Sequence, residues 1–170
     1  MRIIPLAKPQ VGRKEIRAVV KVLKGLNLAQ GPEVKAFESE FSRIVGDRDC
    51  VAVNSGTSAL HLSLLALGIT KGDEVIVPSF TFAATANVVA LVGATPVFVD
   101  IDPRTFNVNP ELILEEVNSK TKAIIVVHLF GLPANMKRIS QIAKENSLLL
   151  IEDAAQAHMA KIGEDFVGTF

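Results

Sequence analysis

A pair of carboxylates at the end of an apolar run is the strongest chemical signal in the sequence. Residues 148–158 read LLLIEDAAQAH, so Glu152 and Asp153 follow four apolar residues and precede Gln156. The run predicts a buried strand, and ligands in open α/β folds bind beyond the carboxyl ends of the strands. A buried carboxylate requires a partner for its charge. That partner is either structural or a ligand, and the pyridinium nitrogen of pyridoxal phosphate (PLP) is one suitable ligand group.

The same segment is also typical of the magnesium-holding strand of a nucleoside triphosphatase. That function requires the motif GxxxxGK[ST], which does not occur here, and the dinucleotide-binding motif GxGxxG is absent as well. Residues 100–102 read DID and resemble the metal-binding motif of glycosyltransferases, although the following Pro103 and Arg104 favour a plain turn. The histidines lack the spacing of a metal site: His61, His128 and His158. The sequence therefore predicts no metal.

Residues 54–60, NSGTSAL, predict a strand-to-helix turn with one glycine and three hydroxyl groups. Gly56 would let the backbone approach a ligand closely, and the first N–H groups of the helix would attract a phosphate. A helix N-cap formed by Thr57 or Ser58 explains the same residues. Both interpretations stay open on this segment alone.

Two aromatic residues follow another apolar run. Residues 78–87 read PSFTFAATAN, which places Phe80 and Phe82 just past the predicted strand. A ring at this position either stacks on a flat cofactor or packs in the core. The sequence alone does not choose between them.

Composition excludes several classes of protein. The chain has 170 residues, enough for one domain with a sizeable core, and 18 basic residues balance 18 acidic ones. No net charge therefore favours nucleic acid or an anionic membrane as a partner. Cys50 is the single cysteine, which excludes a disulfide framework and a CxxC metal pair. Since the N-terminus lacks a signal-peptide core and no apolar run reaches membrane-spanning length, we expect a cytoplasmic protein.

Short apolar runs alternate with helix-like segments after an N-terminal helical segment, 1–48. The runs are Val51–Val53, Val75–Val77, Val97–Val99, Ala123–Val127 and Leu148–Ile151. Continuous apolar strands with helical crossovers predict an α/β fold with a mostly parallel sheet and helices on both faces. Polar or aromatic residues follow each run, so we expect them to converge on one edge of the sheet.

Seven segments in order resemble the DegT/StrS family of PLP-dependent sugar aminotransferases, which have the aspartate-aminotransferase fold (fold type I). The resemblance extends along the whole chain. The segments are IPLAKPQVG, LAQGPEVKAFE, VAVNSGTSALHL, GDEVIVPSFTFAATAN, GATPVFVDIDP, TKAIIVVHLFG and IEDAAQAH.

The resemblance implies PLP as the cofactor and assigns roles by position. Asp153 would keep the pyridine nitrogen protonated, Gln156 would bond to the ring hydroxyl, and Phe82 would stack on the ring. The phosphate would be held by Gly56, Thr57 and Ser58, with His128 and Asn54 in the same cleft.

The resemblance also implies an activity and an assembly. The enzyme would transfer an amino group from an amino acid, typically glutamate, to a keto-sugar nucleotide, as in nucleotide-sugar metabolism and polysaccharide biosynthesis. Family active sites are built across a homodimer. The segment Leu28–Pro32 and the region of Phe82 would contribute to that interface.

Two departures from the family pattern qualify these expectations. Met159 stands where the family usually has glycine, and the position of the family's Schiff-base lysine lies beyond Phe170, so no catalytic residue is assigned. We therefore expect residues 1–170 to form a partial large domain, without the small C-terminal domain and inactive alone. A non-catalytic truncated or decayed homologue and a sugar dehydratase of the same family are the alternatives.

Overall fold

The computed structural model describes residues 8–170, and contacts between Cα atoms divide the chain into two compact units. One unit ends at Ala52 and the other spans Val53–Phe170. The assignment of residues 1–170 to a single partial large domain stays a prediction.

The first unit contains two helices, both within the segment 1–48 that was predicted to be helical. Helix α1 spans Arg13–Gly25 and helix α2 spans Pro32–Ile44. The Glu15 carboxylate accepts a hydrogen bond from the Gly12 N–H at 2.6 Å, which fixes the start of α1. Pro32 opens α2, where its missing N–H leaves no hydrogen bond unmade. No residue of either helix is buried; the apolar face of α1 is largely exposed, whereas Val34 and Phe41 of α2 are half-buried.

The second unit is built on a four-stranded parallel sheet. Its strands are β1 (Glu74–Pro78), β2 (Thr95–Val99), β3 (Thr121–Val127) and β4 (Leu149–Asp153). The order across the sheet is β2-β1-β3-β4, and every neighbouring pair is parallel. The carboxyl ends of all four strands therefore lie at one edge. Four of the predicted strands are confirmed.

Helix α3 (Gly56–Ala66) precedes β1, and three further helices and one 3₁₀ turn connect the strands. The three helices are α4 (Ala84–Leu91), α5 (Pro110–Glu116) and α6 (Met136–Glu145), and the 3₁₀ turn is Leu129–Gly131. The side chains of Asn109 and Asn135 cap α5 and α6 by accepting backbone N–H groups of the first turn. Within residues 8–170, no helix combines the length and the apolar composition needed to cross a membrane.

The strand side chains alternate between two cores, one on each face of the sheet. On β1, Val75 and Val77 pack with the residues of α3 and α4, whereas Ile76 packs with those of α5 and α6. The same alternation divides β3. The first core includes Leu60, Leu64, Val88, Val89 and Ile125, and the second includes Ile113, Ile124, Met136, Ile139 and Ile142. The predicted α/β fold with helices on both faces is confirmed.

One predicted strand was wrong. Residues 51–53 belong to no β-ladder, and the Val51 side chain is 80% exposed. The Ala52 N–H donates instead to the Glu38 carboxylate at 2.8 Å. An apolar run becomes a strand only where a neighbour supplies backbone partners. In the part of the chain that the structure describes, β4 pairs with β3 alone and supplies none for this run.

A short hairpin near the C-terminus was not predicted. Strands β5 (Lys161–Ile162) and β6 (Asp165–Phe166) are antiparallel and joined by a two-residue turn. Gly163 takes φ +63° in that turn, a conformation that glycine adopts readily. Strands of two residues are too short to show an apolar period, so Gly163 was the available signal.

Met159 takes a left-handed backbone conformation, with φ +66°. A side chain in this region crowds the following carbonyl group, whereas glycine does not. The family that this sequence resembles usually has glycine at this position, and the left-handed backbone conformation explains that preference. Met159 is also 58% exposed, so its side chain contributes little packing in compensation.

We predict that Met159→Gly raises the free energy of unfolding by up to about 1 kcal/mol, because relief of the left-handed strain exceeds the added chain entropy of glycine. Urea denaturation measures the change. Met159→Ala is the matched control, since it removes the same side-chain atoms beyond Cβ but keeps the strain. A glycine variant no more stable than the alanine variant would contradict the prediction.

Candidate functional site

The N-terminus of α3 lies beside the carboxyl end of β4. A Cβ atom added to Gly56 would lie 3.9 Å from the Cβ atom of Ala155, just past that strand. Ile151 belongs to the core under α3 and α4. Because side chains alternate along a strand, Asp153 lies on the same face as Ile151. The Asp153 carboxylate and the start of α3 therefore share one edge and one face of the sheet.

The first turn of α3 is capped by Ser55. The Ser55 hydroxyl accepts the Ser58 N–H at 3.1 Å, and the Ser58 hydroxyl donates to Asn54 Oδ1 at 2.7 Å. The sequence interpretation that placed the cap at Thr57 or Ser58 is thus corrected. Both donors of Ser58 have protein acceptors, so Ser58 shapes the turn rather than presents donors to a ligand, and Asn54 supports the turn through its Oδ1.

The backbone N–H groups of Gly56 and Thr57 point out of the helix start, where the structure, over residues 8–170, gives them no acceptor. Gly56 is not in the left-handed region, and an added Cβ would meet only Ala155 at ordinary contact distance. Neither backbone conformation nor packing therefore requires glycine here. The open space in front of two unpaired N–H groups fits an approaching phosphate oxygen.

Only one oxygen of the Asp153 carboxylate has a hydrogen-bond donor in the described part of the protein. One oxygen accepts the Ala155 N–H at 3.0 Å, and the other meets no donor among residues 8–170. Gln156 is arranged similarly: its Oε1 accepts the Phe130 N–H at 2.9 Å, which leaves its NH₂ group free to donate. This edge of the sheet thus presents one acceptor for a cationic ring nitrogen and one donor for a ring oxygen.

His128 is fully buried and lies on the opposite face of the sheet from Asp153. Its Nδ1 accepts the Ala134 N–H at 3.0 Å, so the ring carries its proton on Nε2, which donates to Glu152 at 3.0 Å. Both ring nitrogens have protein partners and no part of the ring is exposed. The prediction that His128 binds the cofactor is therefore revised: His128 positions the end of β3.

Glu152 is a nearly buried carboxylate with three hydrogen bonds. Besides the His128 ring, it accepts the Gly168 N–H at 2.8 Å and the Phe170 N–H at 2.7 Å. The side chain therefore joins the ends of β3 and β4 to the residues after β6. The sequence marked Glu152 as a functional candidate together with Asp153, but strand alternation sends the two carboxylates to opposite faces.

Phe82 is 72% exposed at the carboxyl edge of β1, so the alternative that placed it in the core is excluded. Phe80 instead packs against Phe106, with ring centroids 5.8 Å apart. Of these two aromatic residues, Phe82 is the more exposed and has its ring available for stacking on a planar ligand.

The DID segment forms a turn, as Pro103 and Arg104 indicated. Asp102 accepts hydrogen bonds from the Arg104 side chain, which, with the Arg104 N–H, lowers the pKa of Asp102 to about 2. Asp100 accepts from the Ser79 hydroxyl at 2.8 Å and ties the end of β2 to that of β1. Both carboxylates thus have partners within the protein.

Asn107 is a buried polar residue that no pattern in the sequence indicated. It bonds through its side chain to the backbone of Leu129 and Leu132, after β3. These partners lie more than twenty residues away along the chain. A contact of this kind depends on tertiary packing and leaves no local pattern.

We predict that Glu152→Gln lowers the free energy of unfolding by about 1–3 kcal/mol, because the amide NH₂ would face an N–H donor in either orientation. Urea denaturation at neutral pH measures the loss, and faster hydrogen exchange of the Gly168 and Phe170 amides accompanies it. Glu164→Gln, on the exposed hairpin turn, is the control and stays within about 0.5 kcal/mol of the unmodified protein. Equal stability of the two variants would refute this role of Glu152.

Known proteins resemble this chain in both sequence and fold. A family model described as the DegT/DnrJ/EryC1/StrS aminotransferase family matches residues 9–170. The aminotransferase from Psychrobacter cryohalolentis is 41% identical with a TM-score of 0.91, over 96% of this chain and 42% of its own. DesV of S. venezuelae, solved in complex with a ketimine intermediate, is 41% identical with a TM-score of 0.81, over 85% of this chain and 40% of its own.

NtdA from Bacillus subtilis, solved with its cofactor PMP bound, is 38% identical with a TM-score of 0.81, over 86% of this chain and 35% of its own. The chain thus spans 35–42% of the length of these three proteins. PMP, pyridoxamine phosphate, is the aminated form of PLP, so the comparison supports PLP as the cofactor. The chain has the mostly parallel α/β fold of the fold-type I aminotransferases that it matches, and it belongs to the DegT/DnrJ/EryC1/StrS aminotransferase family.

Proposed function

We propose that this chain forms the cofactor-binding part of a PLP-dependent aminotransferase acting on nucleotide sugars. The amino group passes from an amino acid, glutamate, to a keto-sugar nucleotide. The proposal rests on one observation: the Asp153 carboxylate and the unpaired N–H groups of Gly56 and Thr57 lie at the same edge and on the same face of the sheet. An acceptor for a cationic ring nitrogen and donors for a phosphate are the two groups that PLP requires.

PLP, when bound, supplies a reactive aldehyde and a ring that acts as an electron sink. The free oxygen of Asp153 accepts the ring N–H and keeps that nitrogen protonated, since an anion beside a cation favours the charged form. The Gln156 NH₂ group donates to the ring oxygen. Phe82 covers one ring face, and the start of α3 holds the phosphate, with its turn fixed by Asn54 and Ser58.

The proposed binding of the cofactor does not extend to catalysis by these 170 residues. No lysine of the chain corresponds to the family's Schiff-base lysine, and Lys161 lies 4.4 Å over the ring of Phe166 on the terminal hairpin. We therefore propose that the chain binds the cofactor but does not transaminate alone. The protein acts in the cytoplasm under this proposal, which cell fractionation tests.

PMP is the probe of choice for the site, because its amine needs no lysine partner. We predict that Gly56→Ala and Asp153→Asn each weaken PMP binding about tenfold or more, the first by blocking the phosphate and the second by removing a charge-assisted hydrogen bond. Fluorescence titration of PMP measures the affinity. The fold should persist in both variants, since alanine is the better helix former at the start of α3.

Gly25→Ala, at the open end of α1, is the matched control and leaves PMP affinity unchanged. Unmodified chain that fails to bind PMP, or variants that bind it equally well, would refute the proposed site. The activity is tested separately by supplying PLP, glutamate and a keto-sugar nucleotide. Amino transfer by the 170-residue chain alone would refute the stated limit, and a dehydrated sugar product from the longer protein would favour the dehydratase alternative.

We also propose that the protein is a homodimer. The support is the exposed apolar face of α1, where Ile16, Val19 and Leu23 are each more than half exposed. Apolar patches of this kind associate in water. The segment Leu28–Pro32 and the region of Phe82 are proposed to contribute to the interface.

We predict that sedimentation at micromolar concentration shows a dimer and that Val19→Glu with Leu23→Glu shifts it to monomer, because two buried charges would oppose association. Arg17→Glu, a charge change on the polar side of α1, is the control and leaves the dimer intact. A monodisperse monomer for the unmodified protein would refute the proposal.

A further inference from the structure

The Asn107 side-chain amide bridges the two ends of the turn that follows β3. Its Oδ1 accepts the Leu129 N–H at 3.0 Å, and its Nδ2 donates to the Leu132 carbonyl oxygen at 3.0 Å. The backbone of Asn107 is held as well, because its carbonyl oxygen accepts the Asp102 N–H at 2.9 Å. A donor and an acceptor at fixed places define the orientation of the amide. The 129–132 turn is therefore attached to a rigid point.

The 129–132 turn holds Phe130 in the left-handed region, with φ 53° and ψ 24°. Residues other than glycine are strained there and stay only where their surroundings fix them. The Phe130 ring is 75% exposed, so ring packing does not hold the conformation. The conformation is held by the two hydrogen bonds to Asn107, on either side of Phe130, together with the Leu132 N–H, which donates to the Leu129 carbonyl oxygen at 3.0 Å.

The strained conformation has one consequence for the site. It directs the Phe130 N–H at Gln156 Oε1, 2.9 Å away. Gln156 is exposed, and without this contact its amide could rotate and present oxygen instead of NH₂. An amide oxygen in that place cannot donate a hydrogen bond to the ring oxygen of the ligand.

We propose that Asn107 is a positioning residue that fixes the Gln156 amide with its NH₂ group towards the cofactor's ring oxygen. The chain of contacts runs from Asn107 through the 129–132 turn to the Phe130 N–H and then to Gln156. This inference rests on the proposed function, because it uses the PLP site described above. Asn107 itself touches neither the cofactor nor Gln156.

The test compares the binding of two ligands, PMP and its 3-deoxy analogue, which lacks the ring hydroxyl. The unmodified protein should prefer PMP about 3- to 10-fold, the effect of one hydrogen bond. In Gln156→Ala and in Asn107→Ala this preference should fall towards unity. The double variant should show no further loss of preference. A purely structural role of Asn107 would lower stability or both affinities together and leave the preference unchanged.

Asn118→Ala is the matched control. The Asn118 side chain also makes several hydrogen bonds, to Glu74 and Lys120 among others, but at the opposite edge of the sheet. This variant should lose stability and keep the preference for PMP. Hydrogen exchange without ligand gives a second measurement: the Phe130 amide should exchange faster in Asn107→Ala and not in Asn118→Ala.

The outcomes separate the two proposals. If the unmodified protein does not distinguish the ligands, the proposed Gln156 contact fails and this inference fails with it. If Gln156→Ala loses the preference but Asn107→Ala keeps it, the inference is overturned and the proposed function stands. Should Asn107→Ala not fold, Asn107→Asp replaces it, because its carboxylate retains the bond from the Leu129 N–H. Retention of the full preference in Asn107→Asp, together with an unchanged exchange rate at Phe130, would also overturn the inference.

Discussion

The three hydrogen bonds of the nearly buried Glu152 carboxylate are the interaction on which the carboxyl edge of the sheet depends. A carboxylate removed from water is stable only when its lone pairs are satisfied. Glu152 meets that condition with the His128 ring and two backbone N–H groups after the terminal hairpin. Because those donors come from β3 and from residues 168–170, one side chain joins three parts of the chain that are distant in sequence.

Because side chains alternate along β4, the adjacent carboxylates of Glu152 and Asp153 lie on opposite faces of the sheet and have different roles. Glu152 faces the side of α6 and is committed to structure, whereas Asp153 faces the side of α3 and keeps one oxygen uncommitted. The His128 ring belongs to the structural side. The Ala134 N–H occupies its Nδ1, so the ring bonds to Glu152 through Nε2. The charged site and its buried support thus lie back to back across one strand.

Loops rather than strands orient the remaining groups of the site. The strands place their ends at one edge, but Gln156 and Phe130 lie in connections whose conformation is held by side chains such as Asn107. Strain at Phe130 is tolerated because the buried Asn107 side chain holds both ends of the turn by hydrogen bonds for which water competes little. The sheet provides location, and the buried polar side chains provide orientation.

The sequence by itself determined the strands of the sheet and the residues that are candidates for binding a ligand. Apolar runs predicted the strands β1 to β4, because burial on both faces requires continuous apolar residues, and the segment order indicated the family. The tertiary structure alone decided which candidates can reach a ligand. His128 is buried and cannot reach a ligand, and the N–H group of Ser58 is bonded to the capping Ser55. Phe82 is exposed, which excludes a place in the core. Residues 51–53 show the same limit, since a strand needs a neighbour that local pattern cannot supply. Asn107 stayed hidden because its partners are brought to it only by the packing of distant segments.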